Sequence, residues 1–166
     1  APPGAHVYLD VGTTAEAVAV ALDALAGLTI VTNSLPIALN LTNKGLREVQ
    51  LLGGSVRAIT QAVVGDTALQ TLALMRADVA FIGTNALTLD HGLSTADAQE
   101  AAIKSAMVTN AHNVVVLCDS SKLGTDYLVS FASLSDIDVI ITDSAAPESF
   151  LAALREREIE VVIADE

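Results

Sequence analysis

Short aliphatic runs recur along the chain, each followed by a stretch in which apolar positions return every three or four residues. The runs predict strands and the helical recurrence predicts amphipathic helices. Strands are expected from His6 to Asp10, Leu28 to Thr32, Glu48 to Leu52, Val79 to Gly83, Val114 to Cys118, Val139 to Thr142 and Glu160 to Ile163. Helices are expected from Thr14 to Ala26, Leu35 to Lys44, Gly65 to Met75, Ala98 to Ala111 and Pro147 to Glu156. Several strands are unbroken Val/Ile/Leu runs, which suit a sheet covered on both faces. The alternation of strand and helix predicts an α/β fold, Rossmann-like and doubly wound, with a mostly parallel sheet.

Helix boundaries carry their own chemistry. Ser34 with Pro36 suits a cap and first turn, Thr13 with Glu16 and Asp97 with Glu100 fit capping boxes, and Ser144 precedes Pro147. Gly27 and Gly45 sit where left-handed stops belong, and His112 is expected at a helix end. No linker or repeat interrupts the pattern, so residues 1–166 read as a single domain.

Composition narrows the function. With 166 residues and 52% hydrophobic content, the chain can bury a core without disulfides or a structural metal. The net charge of −12 excludes this segment as the part that grips a nucleic-acid backbone or an anionic membrane. A single cysteine, Cys118, and the lack of any bilayer-length apolar run predict a soluble, cytoplasmic protein with no membrane association. Mean hydropathy of +0.54 with only 3% aromatic residues predicts aliphatic surface for self-association into a homo-oligomer. The chain begins at Ala1 and not at methionine, without a leader pattern, as expected of a fragment or a processed product.

In open α/β sheets, ligands bind beyond the carboxyl ends of the strands. Polar residues collect there: Asp10-Val11-Gly12-Thr13-Thr14, Asn33-Ser34, Gly53-Gly54-Ser55, Gly83-Thr84-Asn85 and Asp119-Ser120-Ser121-Lys122. Each loop alone is ordinary turn and cap composition, but five together predict one crevice. Gly12 to Thr14, at a helix start, offer hydroxyls and free N–H groups to an anion, phosphate above all. Of only eight basic residues, Lys104 lies four after Glu100, a spacing that also suits a surface ion pair, and Lys122 closes a strand-end loop. No dinucleotide fingerprint or Walker loop is present, so no cofactor is expected. His6, His91 and His112 lack metal-ligand spacing, and Cys118 reads as a small core residue.

As an ordered set, the motifs resemble the C-terminal sensor domain of DeoR-family bacterial transcription regulators. They are Leu9 to Thr14, Val31 to Ser34, Leu52-Gly53-Gly54, Val64-Gly65, Ala77 to Gly83, Gly92 to Thr95, Glu100 with Lys104, Asp119 to Lys122 and Ile141 to Asp143. The resemblance implies the fold of ribose-5-phosphate isomerase and coenzyme A transferases, sensing a phosphorylated sugar or related metabolite. It implies an effector pocket of Asp10, Gly12, Thr13, Thr14, Thr32, Asn33, Gly53, Gly54, Glu100, Lys104 and Lys122. It also implies an upstream winged helix-turn-helix, absent from this chain, through which alone operator DNA would be bound. The competing reading is a sugar-phosphate isomerase on the same scaffold. That family carries an Asp-Gly-Ala-Asp-Glu run after the fourth strand, whereas this chain has Phe81-Ile82-Gly83-Thr84-Asn85 and no carboxylate. A non-enzymatic sensor is therefore expected.

Overall fold

The computed structural model describes residues 4–12 and 27–164; the expected helix from Thr14 to Ala26 and the Thr13–Glu16 cap lie outside them. In chain order the first half contains β1 (His6–Leu9), β2 (Thr29–Thr32), α1 (Leu35–Asn43), β3 (Val49–Leu51), β4 (Ser55–Arg57), β5 (Ala62–Val64), α2 (Asp66–Ala73) and β6 (Ala77–Gly83). The second half contains β7 (Ala86–Thr88), β8 (Gly92–Thr95), α3 (Ala98–Thr109), β9 (Ala111–Leu117), β10 (Val129–Ala132), β11 (Val139–Thr142), α4 (Glu148–Glu156) and β12 (Glu160–Ile163).

The strands expected from the aliphatic runs form one seven-stranded sheet in the order β12-β11-β9-β6-β1-β2-β3. Every pairing in it is parallel. Along the interior strands successive residues enter opposite cores, which is why those strands lack polar alternation. Tyr8, Val31, Ile82, Val116 and Ile140 face one core, with Leu72 of α2, Ile103 and Met107 of α3 and Leu151 of α4. Val7, Leu9 and Ile30 face the other, with Ile37 and Leu41 of α1.

Local chemistry accounts for the helix ends. The Ser34 hydroxyl accepts the Ile37 N–H at 3.2 Å, and Pro36 occupies the first turn of α1. The Asp97 carboxylate accepts the Glu100 N–H at 2.8 Å, but the Glu100 side chain turns away, so the expected capping box is half-formed. Ser144 does not cap α4, whose N-cap is Pro147. His112 lies inside β9 because that strand begins at Ala111, directly after the helix, so the expectation of a helix-end histidine is corrected.

Two small sheets were not expected from the sequence. β4 and β5 form an antiparallel hairpin, and β7, β8 and β10 form a three-stranded antiparallel sheet. Their strands span three or four residues each, too short for a period to register. The hairpin depends on Gly54: φ is +149°, and a Cβ there would lie 2.6 Å from the Val64 carbonyl oxygen. Gly54→Ala should therefore cost about 2 kcal/mol, lowering Tm by roughly 4–8 °C. Gly53→Ala, where a Cβ meets nothing within 4 Å, should stay within about 0.5 kcal/mol of the parent. Thermal or urea melts of the two variants check this, and equal losses would refute the steric account.

Candidate functional site

Chain winding reverses between β1 and β6, where strands that are neighbours in the sheet are far apart in sequence. This topological switch point leaves room beyond the carboxyl ends of the strands. A crevice of about 400 Å3 lies there, within the size range of small-molecule sites. Val11 and Gly12 follow β1 into its wall, Ser34 and Pro36 open α1, and Gly83, Thr84 and Asn85 follow β6. Glu100 and Lys104 come from α3, Asp119 and Lys122 follow β9, and Thr60 and Gln61 reach in from the loop between β4 and β5.

Beneath this wall is a buried ion pair. The Lys104 ammonium bonds the Asp10 carboxylate and donates to the Gly83 carbonyl at 2.9 Å. It also lies 5.6 Å from the centre of the Phe131 ring, where the ring's negative face favours a cation. Asp10 is wholly buried, and its Oδ2 also accepts the Gly83 N–H at 3.1 Å. Burial pushes the Asp10 carboxyl up, opposed by the Lys104 charge and by hydrogen bonds from Lys104, Val11 and Gly83. Its Oδ1 has no hydrogen-bond partner among the described residues. The i,i+4 spacing of Glu100 and Lys104 therefore does not make an ion pair between them; each has a stronger partner on another element.

Glu100, also buried, is held by the hairpin. Its Oε2 pairs with the Arg57 guanidinium and accepts the Thr60 hydroxyl at 2.8 Å, while Arg57 Nε lies 3.7 Å from Asp97. The hairpin is thereby tied to the N-terminus of α3. Thr84 and Asn85 are held by the small three-stranded sheet: the Thr84 hydroxyl donates to the Ala86 carbonyl at 2.7 Å, and Asn85 accepts from Thr95.

The third cation is held differently. Asp143 accepts the Ser120 N–H at 2.9 Å, and Asp119 accepts the Ser121 N–H at 3.0 Å, fixing the turn that carries Lys122. Hydrogen bonds from the Ser120 N–H, then from the Ser120 side chain and the Ala145 N–H, hold the Asp143 carboxyl below the usual carboxylate range. The Lys122 ammonium itself is 3.8 Å from Asp119, with its side chain 36% exposed. Of Arg57, Lys104 and Lys122, it has the loosest pairing. Nearby Cys118 is buried, and burial together with Asp119 pushes its thiol up to about 12, so it is a protonated core residue at neutral pH.

Of the residues carried over from the resemblance, the structure places Gly12, Glu100, Lys104 and Lys122 on the crevice wall. Thr13 and Thr14 lie outside the described residues. Asp10 sits behind the wall, engaged by Lys104. Thr32 and Asn33 also stand outside it: the Thr32 hydroxyl donates to the Leu9 carbonyl at 2.7 Å and accepts the Ser34 N–H, and the Asn33 amide donates to the Val63 carbonyl at 3.2 Å. Gly53 and Gly54 lead into the hairpin rather than lining the crevice, because close approach to Val64 uses Gly54 structurally. Gly12 needs its glycine for φ +127°; among the described residues a Cβ there meets nothing within 4 Å.

Arg57, Thr60 and Gln61 were missed because their hairpin gave no periodic signal. Gln61 is notable for its backbone, held at φ +57°. That left-handed conformation costs a non-glycine residue about 1–2 kcal/mol.

Comparison with known proteins places this architecture. The family model described as the DeoR C terminal sensor domain matches residues 1–144. The chain is 43% identical over 140 residues to the HTH-type transcriptional regulator GlpR of Haloferax volcanii, covering 84% of this chain and 54% of that protein. It is 32% identical over 160 residues to the glycerol-3-phosphate regulon repressor of Escherichia coli, covering 96% of this chain and 64% of that protein. The chain thus spans less than two thirds of the length of either relative. Among solved structures, RipA from Yersinia pestis superimposes with a TM-score of 0.56 at 13% identity, over 94% of this chain and 48% of that one. Ribose 5-phosphate isomerase from Plasmodium falciparum superimposes with a TM-score of 0.52 at 15% identity, over 74% of this chain and 46% of that one. These structural likenesses bear out the expected fold. With most of its length matched by the sensor-domain model and close sequence relatives that are transcription regulators, the chain belongs to the DeoR family, as its C-terminal sensor domain.

Proposed function

We propose that this sensor domain binds a phosphorylated sugar or related metabolite in the crevice at the switch point, without turning it over. Binding there controls DNA recognition by an upstream winged helix. The observation that carries the reading is Lys122: a partly exposed cation on the crevice wall, loosely paired, in a chain of net charge −12. Where the general field repels anions, an anionic ligand enters only through a local cation and aligned donors. Lys104 is committed to Asp10 and Arg57 to Glu100, so Lys122 is the cation available to a phosphate. The name of the Escherichia coli relative, a glycerol-3-phosphate regulon repressor, supports the same ligand class. The aliphatic residues Leu39, Leu74 and Leu128, 63%, 90% and 86% exposed, support assembly of the sensor as a homo-oligomer.

An isomerase would need a carboxylate free to move a proton. Glu100 is the buried carboxylate on the wall, and its engagement by Arg57 and Thr60 favours a positioning role instead.

A thermal-shift panel of sugar and polyol phosphates against their neutral counterparts tests the reading. At about 100 times its Kd, a bound phosphate should stabilise the fold by roughly 2.7 kcal/mol, a Tm rise on the order of 5–10 °C. Neutral sugars should give far less, and Lys122→Ala should remove most of the shift with little change in the ligand-free Tm. No shift with any phosphate, or equal shifts with neutral sugars, would overturn the assignment. Aldose–ketose turnover above background would favour the enzyme instead.

Lys104 should behave in the opposite way. Lys104→Met leaves Asp10 buried without its cation and should cost about 3–5 kcal/mol at neutral pH, ligand or no ligand. Burial then acts on Asp10 with less opposition, so its folded-state carboxyl rises further above the unfolded value. The folded state binds the extra proton, and the deficit should shrink as pH falls through that raised value. Urea melts across pH 5 to 8 check this; a deficit that grows on acidification would contradict it.

A further inference from the structure

One crevice residue carries a feature that the phosphate reading does not use. Gln61 ends the four-residue loop 58–61 in the left-handed region, where glycine or asparagine is the unstrained choice. The chain places a long carboxamide there instead. Its main-chain groups are both engaged: the N–H donates to the Arg57 carbonyl at 2.7 Å, and the carbonyl accepts the Leu35 N–H at 3.2 Å. Its side chain is exposed at the crevice wall, with no hydrogen-bond partner for the amide among the described residues, so the carboxamide is open to a ligand. The other non-glycine residue at positive φ among those described, Glu158, follows the C-cap of α4, an ordinary helix-stop position outside the crevice.

Sheet order gives Gln61 a direction relative to Lys122. The bridge between Ser34 and Ala62 and the Leu35–Gln61 hydrogen bond seat the loop beyond the end of β2. Lys122 follows β9, and the order β9-β6-β1-β2 puts three strand spacings, about 14 Å, between the two strand ends. Both residues line the crevice, and the span between them suits a phosphate monoester on a short polyhydroxy carbon chain lying across β6 and β1.

We infer that Gln61 is a specificity-determining residue of the effector site. With the phosphate at Lys122, the Gln61 carboxamide hydrogen-bonds a hydroxyl or carbonyl at the far end of the ligand, and so selects chain length. This inference rests on the phosphorylated-effector reading.

Calorimetric titration of the chain with inorganic phosphate, glycerol 3-phosphate, ribose 5-phosphate and glucose 6-phosphate tests it. Gln61→Ala and Gln61→Gly should weaken the best sugar or polyol phosphate by about 3–10-fold, the loss of one neutral hydrogen bond, and flatten the preference among chain lengths. Affinity for inorganic phosphate should not change. Gln61→Gly relieves the left-handed backbone, so it should be at least as stable as the parent, separating lost recognition from lost folding. An unchanged order of preference in both variants, with binding still abolished by Lys122→Ala, would overturn the role of Gln61 and leave the phosphate site standing. If none of these phosphates binds the parent chain, the effector reading itself fails and the inference falls with it.

Discussion

The buried pair of Asp10 and Lys104 ties together, at one point, two neighbouring strand ends and the helix that packs on them. Asp10 ends the first strand, Gly83 ends its neighbour β6, and Lys104 comes from the middle of α3. Removing both charges from water is expensive, and such a pair lasts only where geometry is good and further hydrogen bonds are supplied. Here the Gly83 peptide supplies both an acceptor for the ammonium and a donor for the carboxylate, while Phe131 closes over the cation. The pair therefore sets the separation of β1 and β6 ends from α3, and with it the floor of the crevice.

The same economy governs the rest of the site. The chain has eight basic residues against twenty acidic ones, yet three of the eight gather around one crevice. Each is matched to a carboxylate, and the matches differ in strength. Lys104 is buried with its partner, Arg57 bridges the hairpin to Glu100 and Asp97, and Lys122 stands apart from Asp119 on a turn stiffened by Asp143. Two pairs hold the architecture together, and the third leaves a cation on view.

Around this floor, the two small antiparallel sheets shape the opening. The central sheet is a scaffold packed on both faces, and loops and a hairpin attached to it complete the crevice wall beside Glu100 and Lys104 of α3. Arg57 and Thr60 attach the hairpin to α3, and Gln61 is carried on its strained last turn.

The sequence by itself determined the scaffold. Val79 to Gly83 and Val114 to Cys118 could be placed because strands covered on both faces must be aliphatic throughout, a signal that survives without any structure. The parallel sheet and the polar strand ends followed, and with them Gly12 and Lys122 as crevice residues, while Glu100 and Lys104 were marked by the family resemblance. What the tertiary structure alone decided was partnership. Glu100 is as well spaced for Lys104 as for a cap on Asp97, and only the hairpin's arrival over α3 sends it to Arg57. Asp10 looks like one more loop acceptor until burial and Lys104 draw it beneath the wall, and the Thr32 hydroxyl and the Asn33 amide nitrogen are taken by the Leu9 and Val63 carbonyls. Three-residue strands such as Ser55–Arg57 have no period to read, so Arg57, Thr60 and Gln61 entered the site unannounced. Pattern along a chain records how each segment meets water, whereas the choice among competing partners is made by contacts between segments far apart in sequence.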